Sequence, residues 1–162
     1  MSAAGADLQV VVFGLGDEEF ALPVAAVREI LDHRPAFRVP DAPAWLLGLT
    51  DVRGTSVPMV DLRVRLGLAA ADVTLATRIL VVDLPRAGGE PLALGLVVDR
   101  VLDVSAFPAG AVEPSPDVGT RWRSEHLRGI LRRGGGFVVL LDLATLHADD
   151  RALASAGLDR AA

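Results

Sequence analysis

Asp61 and Asp142 hold matching places in two similar segments, each at the end of an apolar run and each followed by Leu. Two carboxylates are the minimum equipment for acid–base chemistry of the glycosidase kind. Equivalent positions in a repeat favour another role, a structural carboxylate at a strand end or turn, because the chain supplies no nucleophile to work beside them. Ser56, Ser105, Ser115, Ser124 and Ser155 lack the Gly-x-Ser-x-Gly elbow. His33, His126 and His147 lie far apart, without the spacing of a zinc helix, and are read as surface or loop residues. Gly14-Leu15-Gly16 lacks the third glycine and the long helix of a dinucleotide fingerprint, and Gly134-Gly135-Gly136 has no Lys-Ser/Thr behind it, so both are turns. There is no cysteine, hence no disulfide, thiolate nucleophile or zinc-thiolate site. No enzymatic chemistry, metal or cofactor is expected.

Glu29 and Arg53 remain. Glu29 sits near the end of Val24–Ile30, and Arg53 sits in an Arg-Gly turn. Either they are two solvated charges, worth little if paired at the surface, or the arginine holds the carboxylate in a two-point grip and orients a recognition surface. Spacing alone does not choose between these.

The elements that would position these residues come in pairs. Gly48–Leu62 (GLTDVRGTSVPMVDL) and Gly129–Leu143 (GILRRGGGFVVLLDL) share a Gly, an aliphatic residue, a turn, an apolar run and Asp-Leu. Upstream, Phe20-Ala21-Leu22 leads into Val24, Val27 and Ile30, as Leu92-Ala93-Leu94 leads into Leu96, Val101 and Val104. The paired segments keep their order, which points to one β-rich unit used twice. Short strands with turn signals every 8–12 residues indicate an all-β barrel or sandwich, and closed sheets dispose of exposed edges. The expectation is two small barrels in tandem with a groove between them, packed closely or exchanging strands.

Leu8–Leu15 and Phe20–Pro23 read as a hairpin. Pro23–Ile30, with apolar residues three apart, suits a short amphipathic helix or, given its Val and Ile, a strand. Strands are expected at Ser56–Leu62, Leu75–Leu84, Pro91–Val104, Leu127–Arg132 and Phe137–Leu143, and a loop over Phe107–Gly119. Phe20, Trp45 and Leu62 are assigned to cores or to the junction. Residues 1–7 form a loose tail, residues 8–146 one domain of two subdomains, and residues 147–162 a C-terminal tail within an Ala- and Leu-rich stretch, Ala144–Leu158, expected to be helical.

With 162 residues, 51% of them apolar, the chain can bury a core. A net charge of −5 argues against nucleic-acid or anionic-membrane binding. All 16 basic residues are Arg, and Tyr and Asn are also absent, a pattern of coding bias rather than chemistry. No apolar run reaches the roughly 20 residues that span a bilayer, and the N-terminus lacks the basic start and long apolar core of a signal peptide, so a cytoplasmic location is expected.

Val24-Ala-Ala-Val-Arg-Glu-Ile30, Gly48-Leu-Thr-Asp-Val-Arg-Gly54 and Val57-Pro-Met-Val-Asp-Leu-Arg63 resemble the CheW family of bacterial chemotaxis coupling proteins. Leu94-Gly-Leu-Val-Val-Asp-Arg-Val101, Pro114-Ser-Pro116 and Leu127-Arg-Gly-Ile130 extend the resemblance, in order, from about Leu8 to Leu146. The resemblance implies two SH3-like five-stranded β-barrels and a non-enzymatic adaptor. Such an adaptor joins the cytoplasmic tips of chemoreceptors to the regulatory domain of a CheA-type histidine kinase, in rings beneath membrane receptor arrays that other CheW-like domains can join. By position it implies a receptor-coupling surface at Val27, Glu29, Gly48, Asp51, Val52, Arg53 and Gly54, and a kinase ring contact at Glu113, Pro114, Pro116, Asp117 and Val118. Asp51-Val52 departs from the usual Asn-Leu before Arg-Gly, and Glu113 and Val118 stand where some relatives carry a basic and an aromatic residue. These departures fit a specialised, non-motility chemosensory pathway as an alternative. An enzyme using Asp61 or Asp142, a small-ligand module using the groove and a regulator that sequesters a kinase are the competing classes.

Overall fold

The structure, a computed structural model, describes residues 7–85, 88–114 and 126–146. Ten strands form two five-stranded sheets. The strands are β1 Leu8–Leu15, β2 Glu18–Pro23, β3 Val27–Asp32, β4 Leu46–Val52, β5 Thr55–Asp61, β6 Arg78–Leu84, β7 Leu92–Val98, β8 Arg100–Phe107, β9 Leu127–Arg133 and β10 Gly136–Leu141. A 3-10 turn spans Val24–Ala26, and two one-turn helices, α1 Leu62–Arg65 and α2 Leu143–Leu146, follow β5 and β10.

One sheet runs β3-β6-β7-β5-β4 and the other β8-β1-β2-β10-β9. Renaming β3, β4, β5, β6, β7 as β8, β9, β10, β1, β2 converts the first order into the second, so the repeat is real but interleaved. The first unit is continuous from Val27 to Val98; the second starts at β8 and is completed by the N-terminal β1–β2 hairpin. Strand exchange, one of the two expectations, is what occurs. The seam of each repeat shows in its parallel pairs, β5 with β7 and β10 with β2. The irregularities match too. The register slips between Val27 and Glu29 in β3 and between Val101 and Asp103 in β8, and again opposite Leu46–Gly48 and Leu127–Gly129.

Each sheet is closed by the chain that leaves its first strand. Phe37 exchanges two backbone hydrogen bonds with Leu49 of β4 (2.7 and 2.8 Å), and Glu113 does the same with Ile130 of β9 (2.9 and 2.8 Å). Gly48 and Gly129, one residue earlier on β4 and β9, make room for this. A Cβ on Gly48 would lie 2.1 Å from the Phe37 carbonyl oxygen, and one on Gly129 would lie 2.7 Å from that of Glu113. The glycine that heads both repeated segments is therefore a closure residue.

β1 and β6 are apolar without alternation because both of their faces are buried. Val10 and Val12 pack inside the second barrel with Ala21, Phe107, Leu131, Val138 and Leu140. Ile79 and Val81 pack inside the first with Met59. The alternate residues Val11, Phe13, Leu15, Leu80, Val82 and Leu84 meet between the barrels in the largest cluster, with Phe20 and Leu62 fully buried and Trp45 packed against it. Each such side chain contributes roughly 1.5–3 kcal/mol of transfer free energy. The expected groove between the barrels is therefore mostly filled by a shared core, and among the described residues open space survives where the chain crosses from one barrel to the other.

Those crossings are short: Val24–Ala26 between β2 and β3, and the single residue Asp99 between β7 and β8. Pro23–Ile30 is thus a turn followed by a strand, and the expected strand Pro91–Val104 is two strands in different barrels. Leu75 precedes the strand that begins at Arg78. Of the expected C-terminal helix the described residues contain α2 alone; residues 147–162 lie outside them.

Gly48 combines a left-handed backbone (φ +140°) with that close contact, whereas Gly54 (φ +83°) has open space around it. Gly48→Ala should destabilise by at least about 2 kcal/mol, and Gly54→Ala by about 1 kcal/mol. Urea unfolding of the two variants measures this, and equal losses would remove the closure role from Gly48.

Candidate functional site

Asp61 and Asp142 are equivalent helix caps. Asp61 Oδ1 accepts from Val64 N–H (3.3 Å), and Asp142 Oδ1 from Ala144 N–H (3.0 Å), which satisfies donors that a one-turn helix leaves open. Their repeat-equivalent placement has this structural cause. His126 is buried, with Nδ1 3.1 Å from Thr145 Oγ1, rather than the surface or loop residue its sequence setting implied. Among the described residues no three His, Asp or Glu side chains converge as metal ligands would. His147, Ser115, Ser124 and Ser155 lie outside the described residues.

Arg53 and Gly54 form the two-residue turn between β4 and β5, with φ of 54° and 83°; Gly134 and Gly135 do the same between β9 and β10 at 56° and 81°. Two successive positive φ values are the hairpin turn whose twist matches its strands. The first position usually takes Gly or Asn, so an arginine there is strained. Its side chain reaches back to β3, where Nε and Nη2 each donate to a Glu29 carboxylate oxygen at 3.1 Å. This two-point contact shows that the two charges are paired rather than independent. Arg53 is largely exposed and Glu29 mostly covered. The hydrogen bonds from Arg53 hold the Glu29 carboxyl below its ordinary range, with Arg28 and Arg34 adding to the effect, and Glu29 raises Arg53 in turn.

The surroundings brace this pair. Arg34 Nη1 donates to the Asp51 carbonyl (2.9 Å), tying the β3–β4 connection to the turn. Arg28, the extra residue at the β3 bulge, pairs with Asp83 of β6. Of the expected receptor-coupling residues, Glu29, Asp51, Arg53 and Gly54 come together at one end of the first barrel. Val27 is half-buried against the shared core, Val52 points inward and Gly48 lies beneath the barrel closure.

Beside Val27, where the chain crosses at Val24–Ala26, lies a pocket of about 470 Å³. Ala25, Ala26, Pro85, Pro91, Leu143 and Ala144 give it a mainly apolar lining, and Asp83 and Arg128 stand at its rim. This seam is a remnant of the groove between the barrels. It was not readable from the sequence, because its walls come from five separated segments.

On the second barrel, Arg132 Nε and Nη2 donate to both Glu113 oxygens (2.6 and 3.3 Å), and its guanidinium stacks on the exposed Phe137 ring, 5.2 Å from the centroid. With Pro114 and Ile130 they enclose a pocket of about 270 Å³. Arg132 and Phe137 were missed because they sit on β9 and β10, away from the Pro114 motif. Pro116, Asp117 and Val118 lie outside the described residues.

Arg53→Gly removes the strain and the ion pair together. A carboxyl whose folded value is depressed stabilises the fold above its unfolded value, about 4.3, and loses that contribution as pH falls through the folded value. The Glu29 titration midpoint, followed by NMR, should therefore rise in Arg53→Gly. In acid, where Glu29 is protonated in both proteins, the variant should melt at or above wild type. An unmoved Glu29 midpoint would contradict the pair.

The CheW-like domain family model matches residues 9–151. A probable chemotaxis protein CheW from Rhizobium etli is 32% identical over 88% of this chain and 89% of its own length. The chemotaxis protein CheW of Rhizobium meliloti is 34% identical over 83% and 84%. Among solved structures, the scaffolding protein CheW of Thermoanaerobacter tengcongensis superposes with a TM-score of 0.78 at 26% identity, covering 87% of this chain and 88% of that one. Two interleaved β-barrels, a match along most of the chain and relatives named for chemotaxis place this chain in the CheW family of chemotaxis scaffolding proteins.

Proposed function

We propose that this chain is a non-enzymatic adaptor of the cytoplasm that couples chemoreceptor tips to a CheA-type histidine kinase. The observation that carries this reading is the apolar seam beside Val27, with the braced Glu29–Arg53 pair on the strand that leaves it. A receptor tip is helical hairpin, and a helix presents apolar residues in a row that a seam of Ala, Pro and Leu can receive. The pair then supplies a polar contact of fixed geometry at the end of that row. Family membership supports a role in a chemotaxis assembly, and no helix among the described residues is long and apolar enough to cross a membrane.

The second surface belongs to the second barrel. Glu113, Pro114, Arg132 and Phe137 combine an exposed aromatic ring with a stacked arginine, the composition that dominates protein contacts. We assign it to the kinase regulatory domain, together with Pro116, Asp117 and Val118. The receptor then occupies the seam between the barrels and the kinase a separate face of the second barrel. A signal passes as a change in relative geometry, with coupling of the usual 1–3 kcal/mol.

Pull-down of the full chain with a receptor signalling tip and a kinase regulatory domain tests this. Arg53→Gly should weaken receptor capture about tenfold or more, equivalent to 1.4 kcal/mol, and leave kinase capture unchanged. Phe137→Asp should do the reverse. Variants that fold and capture both partners like wild type would overturn the assignment.

A further inference from the structure

The interleaved repeat makes two seams, and they are chemically opposite. In the strand registers Val10 faces Pro23 as Ile79 faces Val97, and Val11 faces Leu22 as Leu80 faces Leu96. Continuing both strands in step makes Ala25 the equivalent of Asp99, and Pro85 the equivalent of Gly16. The matched turns, Arg53-Gly54 and Gly134-Gly135, make Ala144 the equivalent of Arg63. At the first seam Ala25, Pro85 and Ala144 all line the apolar pocket. At the second, their three counterparts bond to one another.

Arg63 Nε donates to Asp99 Oδ1 (2.8 Å) and Nη2 to Oδ2 (2.5 Å). The Gly16 N–H donates to the same Oδ2 (2.7 Å), and the Gly16 carbonyl accepts from Arg100 Nη2 (2.7 Å). Arg63 also reaches the Ala69 carbonyl (3.1 Å), so α1, the crossing and the β1–β2 turn are joined by one network. Both side chains of the pair are about four-fifths covered. The space left outside it, about 370 Å³, is lined by Arg63, Asp72, Asp99 and Arg100 together with two alanines and two threonines, so four charged side chains border it.

We propose that the Arg63–Asp99–Gly16 network is a plug, closing the second of two equivalent seams so that the chain accepts one apolar partner helix instead of two. The occupant rests on the proposed function, the receptor-tip helix. For a scaffold, the consequence is valence. A barrel pair with two open seams would bridge two receptor tips, whereas one plugged seam leaves a single receptor address and a defined orientation in any larger assembly. Arg63 and Asp99 sit in Val60-Asp-Leu-Arg63 and Val97-Val-Asp-Arg100, whose repeat counterparts carry Ala144 and Ala25 in their place. The plug gives Arg63 and Asp99 a task that neither barrel requires for its own core.

Two variants of the full chain test the plug, read by NMR shift mapping with isobutanol as a Leu- and Val-like probe. In wild type the probe should move Ala25, Ala26 and Ala144 and leave Gly16 and Ala69 unmoved. Arg63→Ala with Asp99→Ala should add a second responsive set around Gly16 and Ala69. Ala25→Asp with Ala144→Arg, which grafts the ion pair onto the open seam, should abolish the first set. A folded double-alanine variant with no second set overturns the plug, and so does a graft that still responds at Ala26. If the double-alanine variant does not fold, the graft decides alone.

A receptor-tip peptide then separates the plug from the function. Its stoichiometry should be one for wild type, two for the opened variant and zero for the graft. A peptide that ignores all three proteins while the probe responds as stated sinks the receptor reading and leaves the plug standing.

Discussion

Val10–Leu15 of β1 and Ile79–Val82 of β6 are buried on both faces, and the rest of the molecule follows from that. Val11, Phe13 and Leu15 on one strand and Leu80, Val82 and Leu84 on the other fill the space between the sheets, while their neighbours in sequence fill the barrel interiors. Phe13 stacks with Phe20 at 6.1 Å in the middle of this shared core. A register slip of one residue in either strand would exchange its two buried sets, so both barrels and their mutual orientation are specified together. The shared core joins the two barrels, and the surface that it leaves open lies at their ends and seams.

Interleaving gives this arrangement its mechanical character. The N-terminal hairpin completes a barrel whose other strands begin more than seventy residues later, which joins the two ends of the chain across one core. Arg65 adds a further tie. It is 91% covered, lies over the Trp45 ring at 5.0 Å and donates to the Leu146 carbonyl at the end of α2, so the helix of one barrel holds the helix of the other. That tie adds to the shared core in fixing the orientation of one barrel against the other.

Much of this was legible in the residues themselves. The repeated Gly, turn and Asp-Leu signals reappear as the closure glycine, the hairpin turn and the helix cap, because each is a local backbone requirement that only a few residue types meet. Asp99 was hidden for the opposite reason. The run Pro91–Val104 is apolar throughout, and nothing in its pattern marks the residue at which the chain changes barrels. The Arg63–Asp99 pair and the Arg132–Phe137 stack join residues on different strands, so they depend on register, which periodicity does not encode. The groove was expected between the barrels from general architecture. It is mostly filled because β1 and β6 bury both faces over Val10–Leu15 and Ile79–Val82, as their apolar runs show.

The proposal that two partners use two separate faces of one scaffold is tested by amide shift mapping of the labelled chain, titrated in turn with a receptor signalling-tip peptide and with a CheA-type regulatory domain. The first should move residues at Ala25–Glu29 and Leu143–Ala144 and the second Glu113, Ile130, Arg132 and Phe137, with little overlap. Perturbation of one common set by both partners, or of neither set by either, would contradict it.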